Sequence, residues 1–266
     1  PDGTYITYEY DTLNRLTYIR DADGGPVVQY NYDALSRRIS AQYANGTTAT
    51  YSYDIADRLL SLNNQTNTGS HNYAYSYDGV GNRLTMTVNG SNVHRYSYDG
   101  IYQLTDVDYP DGFFVGDTTF NYDPVGSRES VINSGTTNYV SNNLNQYTSV
   151  GGTAHSYDKN GNLTDDGTHK YYYNCENRLT DVNDANDQLI ASYSYDAFGR
   201  RISRFTNHDS RTTIFIYDGD QVICEYDHYN RLRHKFLYGT GIDEAVRMTN
   251  VWPSADIAGG GDVDFG

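Results

Sequence analysis

The chain has 266 residues, among them 29 Tyr, 29 Asp and 25 Gly, and a net charge of −15 at pH 7. Helix-forming residues are scarce, whereas the excess of Tyr, Thr, Asn, Asp, Gly and Ser is typical of strands and turns. The acidity argues against a nucleic-acid partner, the lack of a long apolar run argues against a membrane span, and the aromatic content argues against disorder.

The dipeptide Tyr-Asp recurs about every 20 residues, which indicates an internal repeat. Degenerate copies are predicted at Tyr139-Val140 and Tyr173-Asn174. The full copies are Tyr10-Asp11, Tyr32-Asp33, Tyr53-Asp54, Tyr77-Asp78, Tyr98-Asp99, Tyr122-Asp123, Tyr157-Asp158, Tyr195-Asp196, Tyr217-Asp218 and Tyr226-Asp227.

Each repeat has the pattern of a β-hairpin. A second Tyr often stands two residues before the dipeptide, as in Tyr30/Tyr32, and this period of two predicts a strand with its rings on one face. A short turn rich in Gly, Asn and Asp follows, and then a second strand that ends in another turn such as Asn45-Gly46. The pattern therefore predicts an all-β protein built from repeated antiparallel hairpins.

An Arg closes most of the predicted turns. It stands four residues after the turn-opening Asp or Asn in most copies and five residues after it in two, which are read as turns with one extra residue. The Asp is expected to accept turn N–H groups, and the Arg to pair with the carboxylate or to stack on a Tyr ring. Because the arrangement recurs along the chain, a structural role is predicted and no catalytic residue is assigned. The arginines are Arg15, Arg37, Arg58, Arg178, Arg200 and Arg231 at four residues, and Arg83 and Arg128 at five.

These motifs resemble the YD repeats of the Rhs/YD-repeat family, which includes bacterial Rhs proteins, the C component of insecticidal toxins and teneurins. The residues that carry the likeness are YDTLNRLT, YDIADRLL, YDGVGNRLT, YNCENRLTDV and YDAFGRRIS, and it extends over residues 1–248. The resemblance implies a continuous strip of hairpins that spirals into a shell- or solenoid-like fold. The motif of the self-cleaving core in toxin-bearing members does not occur in this sequence.

Residues 249–266 are predicted to form a separate Gly/Asp-rich tail. The stretch DIAGGGDVDFG resembles the first calcium loop of dockerin-like modules, with Asp256, Asp262 and Asp264 as candidate Ca²⁺ ligands. Two usual ligand positions hold Ala258 and Gly260, so the alternative is a flexible linker without metal. No other cofactor is expected. Whether Cys175 and Cys224 form a disulfide stays open.

The predicted function is that of a non-enzymatic structural protein at the cell surface or outside the cell, part of a β shell or a self-associating filament. The terminal strands are expected to pair with another copy or with a neighbouring domain. No signal peptide is expected in this sequence, which reads as part of a longer chain. Two alternatives are a module that binds glycans or cell-surface proteins and a cocoon segment of a toxin-delivery protein.

Overall fold

The computed structural model describes residues 5–112, 116–241 and 243–251, together with the backbone of 262–264. Every regular element in this part of the chain is a β-strand, and consecutive strands pair antiparallel in chain order. The predicted class of repeated antiparallel hairpins is therefore confirmed. No helical stretch in the described part has the length and apolar character needed to cross a bilayer.

The first sheet has 15 strands in the order β1 to β15. Each strand neighbours the next one along the chain, so the connections are short turns alternating between the two rims of the sheet. The strands are β1 Thr7–Tyr10, β2 Leu16–Arg20, β3 Pro26–Tyr32, β4 Arg38–Tyr43, β5 Thr48–Tyr53, β6 Leu59–Thr66, β7 Gly69–Tyr77, β8 Arg83–Val88, β9 Asn92–Tyr98, β10 Leu104–Asp108, β11 Thr118–Tyr122, β12 Arg128–Ile132, β13 Thr136–Ser141, β14 Tyr147–Val150 and β15 Thr153–Ala154.

The second sheet has 11 strands in the same consecutive arrangement. Its strand β25 continues to Asn250, two residues past the boundary predicted at residue 248. The strands are β16 Ser156–Tyr157, β17 Leu163–Asp165, β18 His169–Tyr173, β19 Leu179–Asp184, β20 Leu189–Tyr195, β21 Arg201–Thr206, β22 Arg211–Asp218, β23 Gln221–Asp227, β24 Leu232–Tyr238, β25 Ala245–Asn250 and β26 Asp262–Asp264.

The chain divides into two compact units, and the larger buried core lies in the first. This unit contains the described residues up to Thr119 and the segment Leu237–Met248. Residues of successive strands line up across the sheet, with Ile19 opposite Val28 and Ala41 opposite Ala49. The alternation along each strand puts these small and branched side chains on one face, where they exclude water. The cluster comprises Leu16, Ile19, Val27, Val28, Tyr30, Ala41, Ala49 and Val246.

The second unit, which contains Phe120–Phe236, has fewer buried apolar side chains. Among its described residues, Ala191 and Phe215 are the buried hydrophobic ones. Its strands are held by the same hairpin ladder and the same turns as those of the first unit. Its stability therefore depends more on hydrogen bonds and half-buried rings than on a closed core.

Candidate functional site

The Tyr-Asp turns form a repeated site with one backbone geometry. In the turn of Asp33, the N–H of Asp33 donates to the carbonyl of Arg37 at 3.0 Å, and the N–H of Ser36 donates to the carbonyl of Asp33 at 3.1 Å. Ser36 has a φ of 66°, in the left-handed region where Gly, Asn and Asp are common. This requirement explains the Asn, Asp and Gly residues of the turns. The same i to i+4 closure begins at Asp11, Asp33, Asp54, Asp78, Asp99, Asp123, Asn142, Asp158, Asn174, Asp196 and Asp227.

The turn Asp binds both the backbone and the arginine of its own turn. Asp33 Oδ1 accepts the N–H groups of Leu35 at 2.9 Å and Arg37 at 3.0 Å, while Oδ2 accepts Arg37 Nε at 2.7 Å. The main-chain N–H of that arginine is the largest cause of a lowered pKa for the Asp33 carboxyl. The carboxylate therefore stays ionised and holds the turn. The same triple contact occurs at Asp11, Asp54, Asp196 and Asp227.

The arginine also reaches the next repeat along the chain. Arg37 Nη1 donates to the carbonyl of Asp54 at 2.8 Å, and its guanidinium carbon lies 5.0 Å from the ring centroid of Tyr53. The sequence predicts that the arginine either pairs with the carboxylate or stacks on a tyrosine ring, and in the structure it does both. The ring belongs to the following hairpin. The same guanidinium–ring contact joins Arg15 to Tyr32, Arg58 to Tyr77, Arg178 to Tyr195 and Arg200 to Tyr217.

The hydroxyl of the same tyrosine donates a hydrogen bond back to the preceding repeat. Tyr53 Oη donates to the carbonyl of Arg38 at 2.8 Å, one residue after the arginine that covers its ring. Burial raises the pKa of Tyr53, so the hydroxyl remains a donor at neutral pH. We call this two-way contact between neighbouring hairpins the inter-repeat staple. Equivalent hydroxyl bonds are donated by Tyr32, Tyr77, Tyr98, Tyr157, Tyr195 and Tyr217.

Two of the predicted arginines lie outside the turns. Four residues after Asp78 stands Asn82, whose backbone N–H and Nδ2 donate to the Asp78 carboxylate at 2.8 Å. Arg83 lies in β8 instead, 4.8 Å from the ring centroid of Tyr96. The turn has the usual length, and the amide of Asn82 takes the place expected for the Arg83 side chain.

The same difference occurs at Asp123, where Ser127 closes the turn with an N–H bond of 2.8 Å. Arg128 lies in β12, with its guanidinium carbon 5.1 Å from the ring centroid of Phe120. The residues that sequence reasoning missed all occupy the fourth position after the turn-opening residue, and that spacing was the available signal. They are Asn82, Gln103, Ser127, Gln146 and Asn162.

The degenerate and terminal copies depart from the motif in other ways. The turn of the degenerate repeat at Tyr139 opens at Asn142, so Ser141 precedes it where Tyr is expected. Tyr173 does precede its turn, at Asn174. Tyr122 ends β11 directly before Asp123, and Tyr10 is an exposed residue at the end of β1.

The last two copies lie half a repeat apart. Asp218 is exposed and is the last residue of β22, directly before the two-residue turn that leads to β23. One strand later, Tyr226-Asp227 opens a full turn between β23 and β24, which is on the opposite rim of the sheet. Arg231 pairs with Asp227 there and lowers the pKa of that carboxyl to about 2.

A half-buried ionic contact joins the segment after β24 to the first strands of the same unit. Glu244 Oε1 accepts from Arg38 Nη1 and from Tyr30 Oη, the latter at 3.3 Å, and the N–H of Gly241 donates to Oε2 at 2.9 Å. Burial acts to raise the pKa of Glu244, but the Arg38 pair and the N–H bond outweigh it and leave the pKa lowered. The contact fixes a segment distant in sequence beside the core.

The structure gives no account of the predicted calcium ligands. Asp256 lies outside the described residues, and only the backbone of Asp262 and Asp264 is described, in β26. Within the described part of the chain, no cluster of three or more metal-ligating side chains is found. Cys175 and Cys224 are both free thiols, the first exposed and the second half-buried.

The turn geometry and the strand order agree with a family model. The Teneurin YD-shell model matches residues 82–242, which is more than half of the chain. The chain belongs to the Teneurin YD-shell family. The resemblance seen in the repeats is thereby confirmed, and the chain is a structural segment of a YD shell.

Solved YD-shell structures share the fold. A chain of the Photorhabdus luminescens Tc holotoxin pore superposes on this chain with a TM-score of 0.69 and 16% sequence identity. The match covers 93% of this chain and 14% of the holotoxin chain. A chain of a TcdB2–TccC3 structure superposes with a TM-score of 0.75 and 17% sequence identity. The match covers 97% of this chain and 16% of the TcdB2–TccC3 chain. At these identities the likeness is one of fold.

Curated relatives overturn the prediction of a non-enzymatic protein. A tRNA nuclease WapA of Bacillus subtilis is 38% identical over 128 residues, and a tRNA3(Ser)-specific nuclease WapA of Bacillus spizizenii has the same identity and length of match. The match covers 45% of this chain and 5% of each relative.

Proposed function

We propose that this chain is a wall segment of a YD shell that encloses a toxic enzyme carried by the same, longer protein. The observation that carries the proposal is the inter-repeat staple, because it joins neighbouring hairpins by a hydroxyl bond and, where an arginine closes the turn, by a guanidinium bond and a ring contact as well. Such a strip resists opening between repeats and suits a wall. The names of the WapA relatives support a nuclease as the enclosed activity.

Enclosure predicts that the staples protect the contents. In the longer protein, the double substitution Arg37→Gln and Arg58→Gln removes two guanidiniums that bridge neighbouring repeats. We expect limited proteolysis to reach the enclosed domain sooner in this variant than in the parent. A matched control replaces Arg95, an exposed strand residue that pairs with Asp108, with Gln.

Enclosure by this wall would be contradicted if the parent, the double variant and the Arg95→Gln control resisted the protease equally, although the double variant has lost two of the bridging guanidiniums. Cleavage of the enclosed domain in the parent itself would contradict it as well.

The location outside the cell belongs to the same proposal. Relatives named as toxins and teneurins support secretion or surface display. Antibody against the chain should label intact cells of the source that are not permeabilised. Labelling that appears only after permeabilisation would contradict this part of the proposal.

A second candidate is a filament in which sheets join end to end. It is favoured by β1, whose four residues are exposed and which has β2 as its one neighbour among the strands of the described part of the chain. An exposed edge strand can pair with another chain through its backbone groups. Electron microscopy of the purified chain tests it, because regular fibres support the filament and dispersed particles contradict it.

A further inference from the structure

The rim of the first unit that bears the Tyr-Asp turns is lined by exposed apolar side chains. One aliphatic residue stands at the first or second position after the Asp of each turn, with an exposed fraction between 65% and 103%. We call this row the apolar rim; its residues are Leu13, Leu35, Ile55, Val80 and Ile101. Such regular exposure of large aliphatic residues differs from the scattered kind that is normal on surfaces.

The turns themselves do not require an apolar residue at this position. In the second unit Val125, Leu144, Phe198 and Tyr229 also occupy it, but Asn160 and Glu176 occupy it in two turns. The N–H groups of these two polar residues still bond to the turn-opening side chain, at 2.8 and 2.9 Å. The other rim of the first unit has polar residues at its turns, such as Asp23, Asn45 and Asn67. Folding of the hairpins therefore leaves the apolar rim unexplained.

The charge distribution makes this rim suitable for contact with another acidic chain. In its first three turns the carboxylates of Asp11, Asp33 and Asp54 are each paired with the arginine of the same turn. The chain as a whole carries a net charge of −15, which repels a second copy. Repulsion is weakest where the carboxylates are neutralised, and three of the five aliphatic side chains, Leu13, Leu35 and Ile55, lie in those turns.

The spacing of the row selects the partner. Neighbouring Tyr-Asp turns are two strands apart, which is about 10 Å at the usual strand separation. A partner that contacts the whole row must present apolar groups at the same interval, and the same rim of a second copy does so. We propose that two copies of this chain associate rim to rim about a two-fold axis, an arrangement in which one surface serves both partners. The middle residue of the row, Ile55, then meets its counterpart.

Sedimentation of the full 266-residue chain tests the proposal. We expect concentration-dependent dimers at up to about 200 μM, a range suited to an interface of modest size. Replacing all five residues of the apolar rim with Ser should weaken dimerisation at least about tenfold. The thermal midpoint should stay unchanged, because these side chains are exposed in the single chain.

Disulfide trapping tests the geometry in a Cys175→Ser, Cys224→Ser background. Ile55→Cys at the middle of the apolar rim should form a cross-linked dimer under mild oxidation. The matched control Asp23→Cys, exposed on the other rim, should not.

Three outcomes would overturn the proposal. They are a wild-type chain that stays monomeric, dimers that survive the five Ser substitutions, and equal cross-linking at Ile55→Cys and Asp23→Cys. Dimers that Glu9→Pro in β1 abolishes while the five Ser substitutions do not would place the contact at the edge strand instead.

Discussion

The turns of β1–β6 and those of β7–β17 use the same backbone geometry with different closing residues. In the first region Arg15, Arg37 and Arg58 bind their own Asp and extend to the next hairpin. In the second region amide or hydroxyl side chains close the turns, as Asn82 does at Asp78 and Asn162 does at Asp158. These shorter side chains bond to the carboxylate of their own turn and, among the described residues, make no bond to a main-chain carbonyl of the next repeat. Asn162 Nδ2 donates instead to the side-chain Oδ1 of Asn177 in the next turn, at 2.9 Å.

The difference separates two roles that the motif combines. The Asp and its N–H bonds shape the turn in both regions, so they are the constant part. The arginine adds a connection between hairpins, both beside the buried core in β2–β5 and in the second unit, where Arg178 and Arg200 make the same contact. Where the arginine shifts into the strand, as Arg83 does, it covers a tyrosine ring without joining the turns.

The largest expected effect is the collective response to acid. Several turn carboxyls, such as those of Asp33 and Asp54, have folded-state pKa values below the ordinary 3.8, and that of Asp227 falls to about 2. A carboxyl whose pKa is lower in the folded state than in the unfolded state stabilises the fold above pH 3.8. This stabilisation is lost as the pH falls through the pKa of the folded state. Thermal midpoints measured across this window should fall steeply towards pH 2.

The acid response has an internal control. Replacing Asp33 with Asn keeps an acceptor for the turn but removes one titrating group. The variant should have a lower midpoint at pH 6 and a shallower fall in acid. An identical slope in both proteins would contradict a role for the turn carboxylates.

The next effect distinguishes the two kinds of turn directly. Asp33→Ala removes the acceptor of two N–H groups and of the Arg37 guanidinium, and we expect it to lower the thermal midpoint by about 5 °C. Asp158→Ala removes the acceptor of an amide instead of a charged group, so it should cost about half as much. Equal losses in calorimetry would mean that the arginine adds nothing to the turn.

The hydroxyl of the inter-repeat staple has a smaller expected contribution. Tyr53→Phe removes the bond to the Arg38 carbonyl but leaves the ring in place beneath Arg37. The free energy of unfolding in urea should fall by about 1 kcal/mol. Tyr10→Phe is the matched control, because this exposed tyrosine follows no earlier turn of the described chain, and it should leave the free energy nearly unchanged.

The smallest expected effect is a gain in stability. Arg178 follows Asn174 instead of Asp, and its Nε is buried without a hydrogen-bond partner. Asn174→Asp supplies a carboxylate oxygen for that Nε, as in the arginine turns, and should raise the thermal midpoint by about 2 °C. Asn142→Asp is the control, because Gln146 closes that turn; an equal gain there would point to a general benefit of acidic turns.

Much of this fold is readable from residue pattern because the interactions that build it are local. The period of two in Tyr30 and Tyr32 gives the strand and its face, and the Asp-to-Arg spacing gives the turn. The turns also show where such reading fails. The pattern predicts Arg83 as the closing residue because an arginine is the more recognisable signal, but Asn82 has the correct spacing and closes the turn.

Contacts between repeats required the structure. The ring under Arg37 belongs to Tyr53 of the following hairpin, a partner that depends on strand register and side-chain direction. The burial of Val246 among Ile19 and Val28 joins segments more than two hundred residues apart in sequence, and no periodic pattern encodes it. The enzyme prediction failed for another reason, because a repeat segment carries no trace of an activity elsewhere in its relatives.

The half-repeat step between Tyr217 and Tyr226 has a consequence for how such chains can be rebuilt. In a meander of antiparallel strands, the rim on which a turn lies is a matter of parity. An even number of strands between two Tyr-Asp turns keeps them on one rim, and the single strand β23 between these two copies moves the second turn to the other. Recombination that adds or removes whole hairpins therefore keeps every later Tyr-Asp turn on its rim, whereas the gain or loss of one strand moves all later turns to the opposite rim.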